Sequence, residues 1–139
     1  MRYLGLDLGS KTCGIAISEG VISSIYGTYR FEENDYERAL NYIVDVAKKE
    51  KIGRIILGYP KHMNNDVGIR AKISEDFKER LEKMVDAKII LWDERMTSIE
   101  VNRVMISANT NRKKRKEHKD ELAAVIILQG YLDSRKEEE

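Results

Sequence analysis

The sequence predicts an α/β fold: a mixed five-stranded sheet of strand order 3-2-1-4-5, with strand 2 antiparallel, flanked by helices. Short apolar or β-branched segments follow one another between residues 4 and 29, separated by turn residues, which is typical of an antiparallel meander. After residue 35 helical and strand periodicities alternate, which is typical of parallel strands joined by crossover helices. The length of 139 residues fits one domain, which we assign to 1–139.

The meander contains three predicted strands. Leu4–Leu8 and Gly14–Ser18 are the first two, and the turn residues Gly9 and Ser10 follow the first of them. A third stretch runs from about Val21 to Tyr29, after the turn at Glu19-Gly20.

The rest of the chain alternates between helix and strand. Residues at helical spacing predict a helix from about residue 35, marked by Tyr36, Leu40, Ile43, Val44 and Ala47. The next strand, Arg54–Gly58, has the apolar centre of a strand buried on both faces. A second amphipathic helix and the strand Lys88–Trp92 follow, the helix being marked by Ile69, Ile73, Phe77, Leu81 and Met84. A third helix is expected from Thr97 or Ser98 to Ser107, and a last one from about Asp120 to Leu132.

Composition excludes several classes of protein. The longest apolar run, Leu122–Leu128, is too short to cross a membrane, and one cysteine cannot form an internal disulfide. The chain starts directly on the first strand without a basic and then apolar leader, so we expect a cytoplasmic protein. The net charge of +1 does not indicate a generally basic nucleic-acid binder. Positive charge is instead concentrated in one segment, Arg112–Lys119.

Asp7 is the residue that fits its surroundings least. Asp is disfavoured inside strands, yet Asp7 lies in the middle of Tyr3-Leu4-Gly5-Leu6-Asp7-Leu8-Gly9. A buried carboxylate needs a cation or hydrogen-bond donors to compensate its lost hydration. Gly5 and Asp7 share one face of the strand, where the missing side chain of Gly5 leaves room for the backbone or phosphate of a ligand to approach. Asp7 is therefore a candidate site residue, the alternative being a strand-end Asp bonded to backbone amides.

Two further acidic positions are expected at the same edge of the sheet. Asp93-Glu94-Arg95 follows directly on the fifth strand, and Arg95 can orient a carboxylate or a phosphate. Asp120 opens the last helix, whose small residues Ala123 and Ala124 allow a close approach to the sheet. Each position taken alone also fits a helix-capping role.

Carboxylates that converge from distant parts of the chain repel one another unless divalent cations neutralise them. Oxygen ligands alone suit Mg²⁺ or Mn²⁺, and His62, His118 and Cys13 lack the spacing of a zinc site. Two such ions in a carboxylate site hydrolyse phosphodiesters. The residues thus favour a metal-dependent nuclease with two ions.

Candidate phosphate contacts lie on the same predicted edge. They are Ser10 and Lys11 in the first turn, Lys61 after the fourth strand, and Arg70 early in the second helix. The basic segment Arg112–Lys119, which includes Lys113, Lys114 and Arg115, leads into Asp120 and can clamp a nucleic-acid backbone. A solvated surface is the alternative for each of these charges.

Four motifs, in this order and spacing, resemble the YqgF-type family. They are Gly5–Ser18, Gly58–Asn64, Trp92–Thr97, and Lys119–Ala124 with Ile127–Gln129. That family is described as RNase H-like, as a Holliday-junction resolvase and as the nuclease of pre-16S rRNA maturation. The resemblance covers nearly the whole chain.

The resemblance implies a bacterial cytoplasmic nuclease of RNase H-like fold. It implies catalytic and metal-binding roles for Asp7, Asp120 and one acid of the Asp93-Glu94 pair; we select Glu94 and keep Asp93 as the alternative ligand. The implied partner is pre-rRNA, processed at the 5′ end of pre-16S rRNA, or branched DNA. The sequence leaves open whether the protein is a monomer or a homodimer.

Two other functions remain as alternatives. Gly5-Leu6-Asp7-Leu8-Gly9-Ser10-Lys11-Thr12 also resembles the first phosphate loop of sugar-kinase and actin ATPases, although the chain lacks their second domain and second Gly-rich loop. A non-catalytic scaffold that binds nucleic acid with the same fold is the other alternative. Cys13 is interpreted as a small strand residue, since neither His is placed nearby in sequence to activate it.

Overall fold

The computed structural model describes residues 1–59, 65–93 and 119–138. The described strands are β1 (Arg2–Leu8), β2 (Thr12–Ser18), β3 (Ser24–Arg30), β4 (Ile52–Tyr59) and β5 (Lys88–Asp93). The described helices are α1 (Tyr36–Lys49), α2 (Asn65–Glu82) and α3 (Lys119–Glu138). The third predicted helix, 97–107, lies outside the described residues.

The strands form one sheet of order β3-β2-β1-β4-β5, which confirms the predicted order. Strand β2 is antiparallel to β1 and to β3, whereas β4 is parallel to both β1 and β5. Because β1, β4 and β5 share one direction, their carboxyl ends meet at one edge of the sheet.

The sheet has an apolar layer on each face. On one face Leu4, Leu6 and Leu8 of β1 pack with residues of α1 and α2. On the other face Ile56 of β4 packs with Ile127 and other residues of α3. This division follows the alternation of side chains along each strand, which the sequence predicts.

The third strand begins later than predicted, at Ser24 instead of Val21. The residues before it bond to the side chain of Gln129 in α3: the Ser23 N–H donates to Gln129 Oε1 (2.9 Å), and Gln129 Nε2 donates to the Val21 carbonyl (2.8 Å). Backbone groups that are satisfied in this way do not join the sheet ladder. Val21 is therefore half-exposed despite its β-branched side chain.

Helix α2 also differs from its predicted pattern. Phe77 and Leu81 are buried as expected, but Ile69 is 62% exposed and Met84 lies beyond the end of the helix. The apolar face of the predicted helix is therefore not buried at Ile69, where α2 borders a groove at the edge of the sheet. Helix α3 extends past the predicted end, Leu132, to Glu138.

Across the three described stretches of chain, every helix is too short or too polar to cross a membrane.

Candidate active site at the carboxyl edge of the sheet

Asp7 lies at the carboxyl end of β1, opposite Gly14 of β2. Its neighbour Leu6 pairs with Leu57 of β4, so Asp7 lies one step further toward the edge of the sheet. The residue is half-buried and makes electrostatic or hydrogen-bond contacts in the fold. Since Gly5 faces α3, alternation along β1 places Asp7 on the α3 face as well.

Asp93 lies at the same edge, at the end of β5, where it pairs with Tyr59. Two strand spacings separate β1 from β5, about 10 Å between their backbones. The residue before it, Trp92, packs in the α3 layer, so alternation places Asp93 on the other face of the sheet. Asp93 therefore lies across the sheet from Asp7.

The face occupied by Asp93 bears on the choice between the two acids after β5. A ligand that shares an ion with Asp7 must reach the α3 face, and strand alternation does not favour Asp93 for this. The other acid, Glu94, lies outside the described residues. We therefore retain Glu94 as the predicted ligand.

The beginning of α3 lies at the level of Asp7. Thr28 of β3 pairs with Gly14, which in turn pairs with Asp7. The Thr28 hydroxyl donates to Glu121 Oε1 over 3.0 Å, which fixes the first turn of α3 at this position along the sheet. Asp120 directly precedes Glu121 and is placed here by the helix backbone alone.

Gly5 lets α3 approach the sheet closely, so the prediction that a ligand approaches the sheet at Gly5 is wrong. A β-carbon at this position would lie 2.7 Å from Leu128 Cβ and 2.9 Å from the Ala124 carbonyl oxygen. Only a residue without a side chain fits between β1 and the helix at this distance. The glycine of the first motif therefore sets how closely the helix that carries Asp120 approaches the strand that carries Asp7.

Replacing Thr28 with Val is expected to lower both stability and any activity of this edge. The variant loses one partly buried hydrogen bond to a charged group, which contributes about 1–2 kcal/mol, and frees the first turn of α3. Urea unfolding measures the loss of stability, and a nucleic-acid cleavage assay measures the predicted nuclease activity. Ser23→Ala is the matched control, because the Ser23 hydroxyl donates to the Val125 carbonyl (2.8 Å) one turn further along α3.

Both variants should cost similar stability, but only Thr28→Val should lower activity several-fold. Equal activity in the two variants would show that the Thr28–Glu121 bond does not position the site.

The predicted phosphate-binding residues are brought together in part. Ser10 and Arg70 line one groove beside the end of β1, while Lys11 lines a neighbouring groove with Arg30 and Arg38. The remaining predicted contacts lie outside the described residues: Lys61, Arg95, Lys113, Lys114 and Arg115.

Sequence reasoning missed residues that only the fold brings to this edge. Tyr36 and Asn34 line the groove with Ser10, and Thr28 and Glu121 fix α3. The pattern marks Tyr36 only as a helix residue, and the other three residues give no signal in it. Their roles depend on strand register and loop contacts, which a single sequence does not reveal.

The donor atoms at this edge are carboxylate oxygens. Among the described side chains, no three Asp, Glu, His or Cys groups lie close enough together to hold a metal ion. Of the predicted ligands, Asp7 and Asp93 belong to that described set, whereas Glu94 and the side chain of Asp120 do not. Cys13 is fully buried in the α1–α2 layer, away from Asp7. An oxygen donor set of this kind fits Mg²⁺ or Mn²⁺.

Comparisons of sequence with known proteins identify the family. The family model described as "RuvX: Holliday junction resolvase" matches residues 1–134. A protein of Onion yellows phytoplasma named "Putative pre-16S rRNA nuclease" is 48% identical over 132 residues, which cover 94% of this chain and 87% of that protein. A Bacillus licheniformis protein of the same name is 45% identical over 136 residues, which cover 96% of this chain and 98% of the relative.

Comparisons of structure identify the fold. The structure titled "T. thermophilus RuvC in complex with Holliday junction substrate" superposes with a TM-score of 0.68 at 12% identity, covering 98% of this chain and 96% of that one. The fowlpox virus resolvase in its complex with Holliday junction DNA superposes with a TM-score of 0.55 at 15% identity, covering 96% and 98%. The five-stranded sheet with its helices is therefore an RNase H-like fold, as predicted.

Proposed function

This chain belongs to the RuvX family, the YqgF-type family that its motifs resemble, and from that premise we propose that it is a metal-dependent endonuclease acting on structured nucleic acid. In this proposal its substrate is pre-16S rRNA, because relatives at 45–48% identity are named for a nuclease of that RNA. The proposed cut lies at the 5′ end, as the family resemblance of the motifs implies. The whole chain, 1–139, acts as one nuclease domain in the cytoplasm.

One observation carries the proposal: the least strand-compatible residue of β1 lies where three parallel strands end. Asp7 shares that edge with the first turn of α3, which the Thr28–Glu121 bond holds at its level. Carboxylates that meet at such an edge suit a site for divalent cations.

The residues divide into two groups in this proposal. Asp7, Glu94 and Asp120 hold the metal, and Asp93 is a less favoured ligand because its strand position faces the other side of the sheet. When bound, two Mg²⁺ or Mn²⁺ ions would activate water and stabilise the leaving oxygen.

The second group contacts the phosphates of the substrate. Ser10, Lys11 and Arg70 lie on described grooves at this edge, and Lys61 and Arg95 follow strands that end there. The basic residues Lys113, Lys114 and Arg115 hold the backbone further from the cut. These contacts orient the scissile phosphate toward Asp7.

Cleavage of branched DNA is the second candidate function, favoured by the description of the matching family model. A resolvase makes two symmetric cuts and needs two copies of its site, so this function requires a homodimer. Trimming of a single RNA strand works with a monomer. Size-exclusion chromatography with light scattering measures the oligomeric state. Together with the substrate assay, it distinguishes the two candidate functions.

The test compares substrates and metals. Purified protein is incubated with end-labelled pre-16S leader RNA and with a four-way DNA junction, in Mg²⁺, in Mn²⁺ and in EDTA. We expect metal-dependent cutting of the RNA and no cutting in EDTA. Binding of both substrates without cutting of either in any metal would favour the non-catalytic scaffold, and ATP turnover would favour the ATPase alternative.

A further inference from the structure

A groove of about 440 Å³ opens beside the end of β1, on the face of the sheet that carries α1 and α2. Its floor includes Leu8 and Gly9, which directly follow Asp7. Two residues of extended chain span at most about 7 Å, so the groove begins within that distance of Asp7. Its volume lies within the range of about 300–1,000 Å³ found for ligand pockets.

Part of the lining of the groove is apolar. Tyr36 and Ile73 are half-buried, while Ile69 is 62% exposed beside them. An exposed Ile on a helix gains little for folding, but it offers a surface on which a flat ring can pack. The ring of Tyr36 adds an aromatic surface to this lining, of the kind on which nucleic-acid bases stack.

The remaining lining residues are polar, and one of them carries a positive charge. Ser10 and Asn34 are joined by the bond from the Asn34 N–H to the Ser10 carbonyl (2.7 Å), and the Tyr36 hydroxyl donates to Asn34 Oδ1 (3.2 Å). Asn34 adopts a left-handed backbone conformation (φ 65°), which Asn tolerates. Arg70 is exposed and makes no ion pair with a carboxylate of the described chain.

The hydroxyl of Tyr36 stays protonated at neutral pH. Partial burial raises the pKa of Tyr36, and the nearby carboxylate of Glu33 raises it further, against the opposing effect of Arg70. Tyr36 therefore acts as a neutral donor that fixes Asn34.

We propose that this groove binds a nucleotide of the substrate strand next to the cleaved phosphodiester, with its base against Tyr36 and Ile69 and its phosphate on Arg70 and Ser10. The inference deepens the proposed function and rests on it. A strand that crosses the edge of the sheet reaches Asp7 on one face and this groove on the other.

The neighbouring groove suits a phosphate less well. Its volume is about 640 Å³, and Lys11, Arg30 and Arg38 line it together with Glu32 and Glu33. Arg38 is also paired with Asp35 over 3.2 Å. The two carboxylates of this lining offset two of its three positive charges. The groove of Arg70 includes Leu8, the residue directly after Asp7, which is why we assign the nucleotide to it.

Binding of fluorescein-labelled single-stranded RNA and of DNA of the same sequence tests the proposal. The Asp7→Asn background, in Mg²⁺, keeps the strand intact during anisotropy measurements. Ile69→Ser and Arg70→Gln should each raise Kd at least about fivefold, comparable to the loss of one stacked base. Controls are Ile22→Ser, an apolar residue that is 74% exposed elsewhere, and Lys72→Gln on α2 outside the groove; both should bind like the background protein.

Salt dependence separates the two contacts. Arg70→Gln should reduce the slope of log Kd against log salt by about 0.7, the value for one phosphate contact on a single strand. Ile69→Ser should weaken binding without changing that slope. Comparison of RNA with DNA shows which nucleic acid the groove prefers. Weakened binding of either one by the groove variants supports the proposed nucleotide site.

Unchanged binding in both groove variants, or equal weakening in the controls, would overturn the inference. The proposed function has its own readout, because each groove variant is also tested for cutting with Asp7 intact. If the groove variants cut at the wild-type rate, the nucleotide site is ruled out and the nuclease function stands. If the groove variants bind more weakly but the wild-type protein does not cut, the nucleotide site stands and the nuclease function is ruled out.

Discussion

Replacing Asp7 with Asn is expected to lower the rate of phosphodiester cleavage at least about 100-fold, the scale seen when one preorganised electrostatic group is lost. Asn keeps the size of the side chain and removes its charge, so the variant should weaken metal binding while the strand remains intact. The measurement is single-turnover cleavage at saturating substrate across a Mg²⁺ titration. Circular dichroism and a cooperative thermal transition confirm that the variant is folded.

Asp45→Asn is the matched control for this experiment. Asp45 is exposed on α1, in the layer on the other face of the sheet, and its loss should leave cleavage unchanged. Asp93→Asn tests the assignment of faces, since a residue across the sheet from Asp7 should matter much less than Asp7. A loss for Asp93→Asn as large as that for Asp7→Asn would show that strand alternation misplaces this carboxylate.

Replacing Gly5 with Ala is expected to destabilise the protein by about 1–3 kcal/mol, the usual range for an overfilled core. The new methyl group would meet Leu128 Cβ at 2.7 Å and the Ala124 carbonyl at 2.9 Å, so α3 must move away from the sheet. The same movement shifts Asp120 away from Asp7. We therefore expect cleavage to fall more than the population of folded protein does.

Gly27→Ala is the control for this substitution. Gly27 lies in β3, and a methyl group added there would have no atom of the described residues within 4 Å, so the extra carbon fits without movement. Thermal unfolding should show a lower midpoint for Gly5→Ala, by roughly 3–5 °C per kcal/mol, and little change for Gly27→Ala. Equal midpoints for both variants would show that α3 does not depend on the close contact at Gly5.

Local sequence patterns are sufficient to predict the order of the sheet and the place of Asp7. The meander and the later alternation of helix and strand each depend on residues that are close in sequence, and all five strands are found in the predicted order. Asp7 stands out because it conflicts with its own strand, which is again a local observation. The close approach of the last helix to the sheet is also predicted locally, from its small residues Ala123 and Ala124, whereas its contact at Gly5 is not.

The features that the sequence does not predict depend on contacts between distant residues. The sequence predicts that a strand starts at Val21, but the side chain of Gln129, 108 residues away, donates a hydrogen bond to the Val21 carbonyl. Helical spacing places Ile69 on the apolar face of α2 but does not show whether another element covers that position, and Ile69 is exposed. Tyr36 and Arg70 meet at one groove only because the end of β1 lies near the beginnings of α1 and α2.

A crystal grown with Mn²⁺, with data collected for anomalous scattering from manganese, tests the central claim most directly. The account predicts a manganese peak at the carboxyl edge of the sheet, with carboxylate oxygens of Asp7 and Asp120 at about 2.1 Å and Glu94 completing the site. A structure in which Mn²⁺ binds elsewhere, or in which Asp7 and Asp120 share no ion cluster, would contradict it.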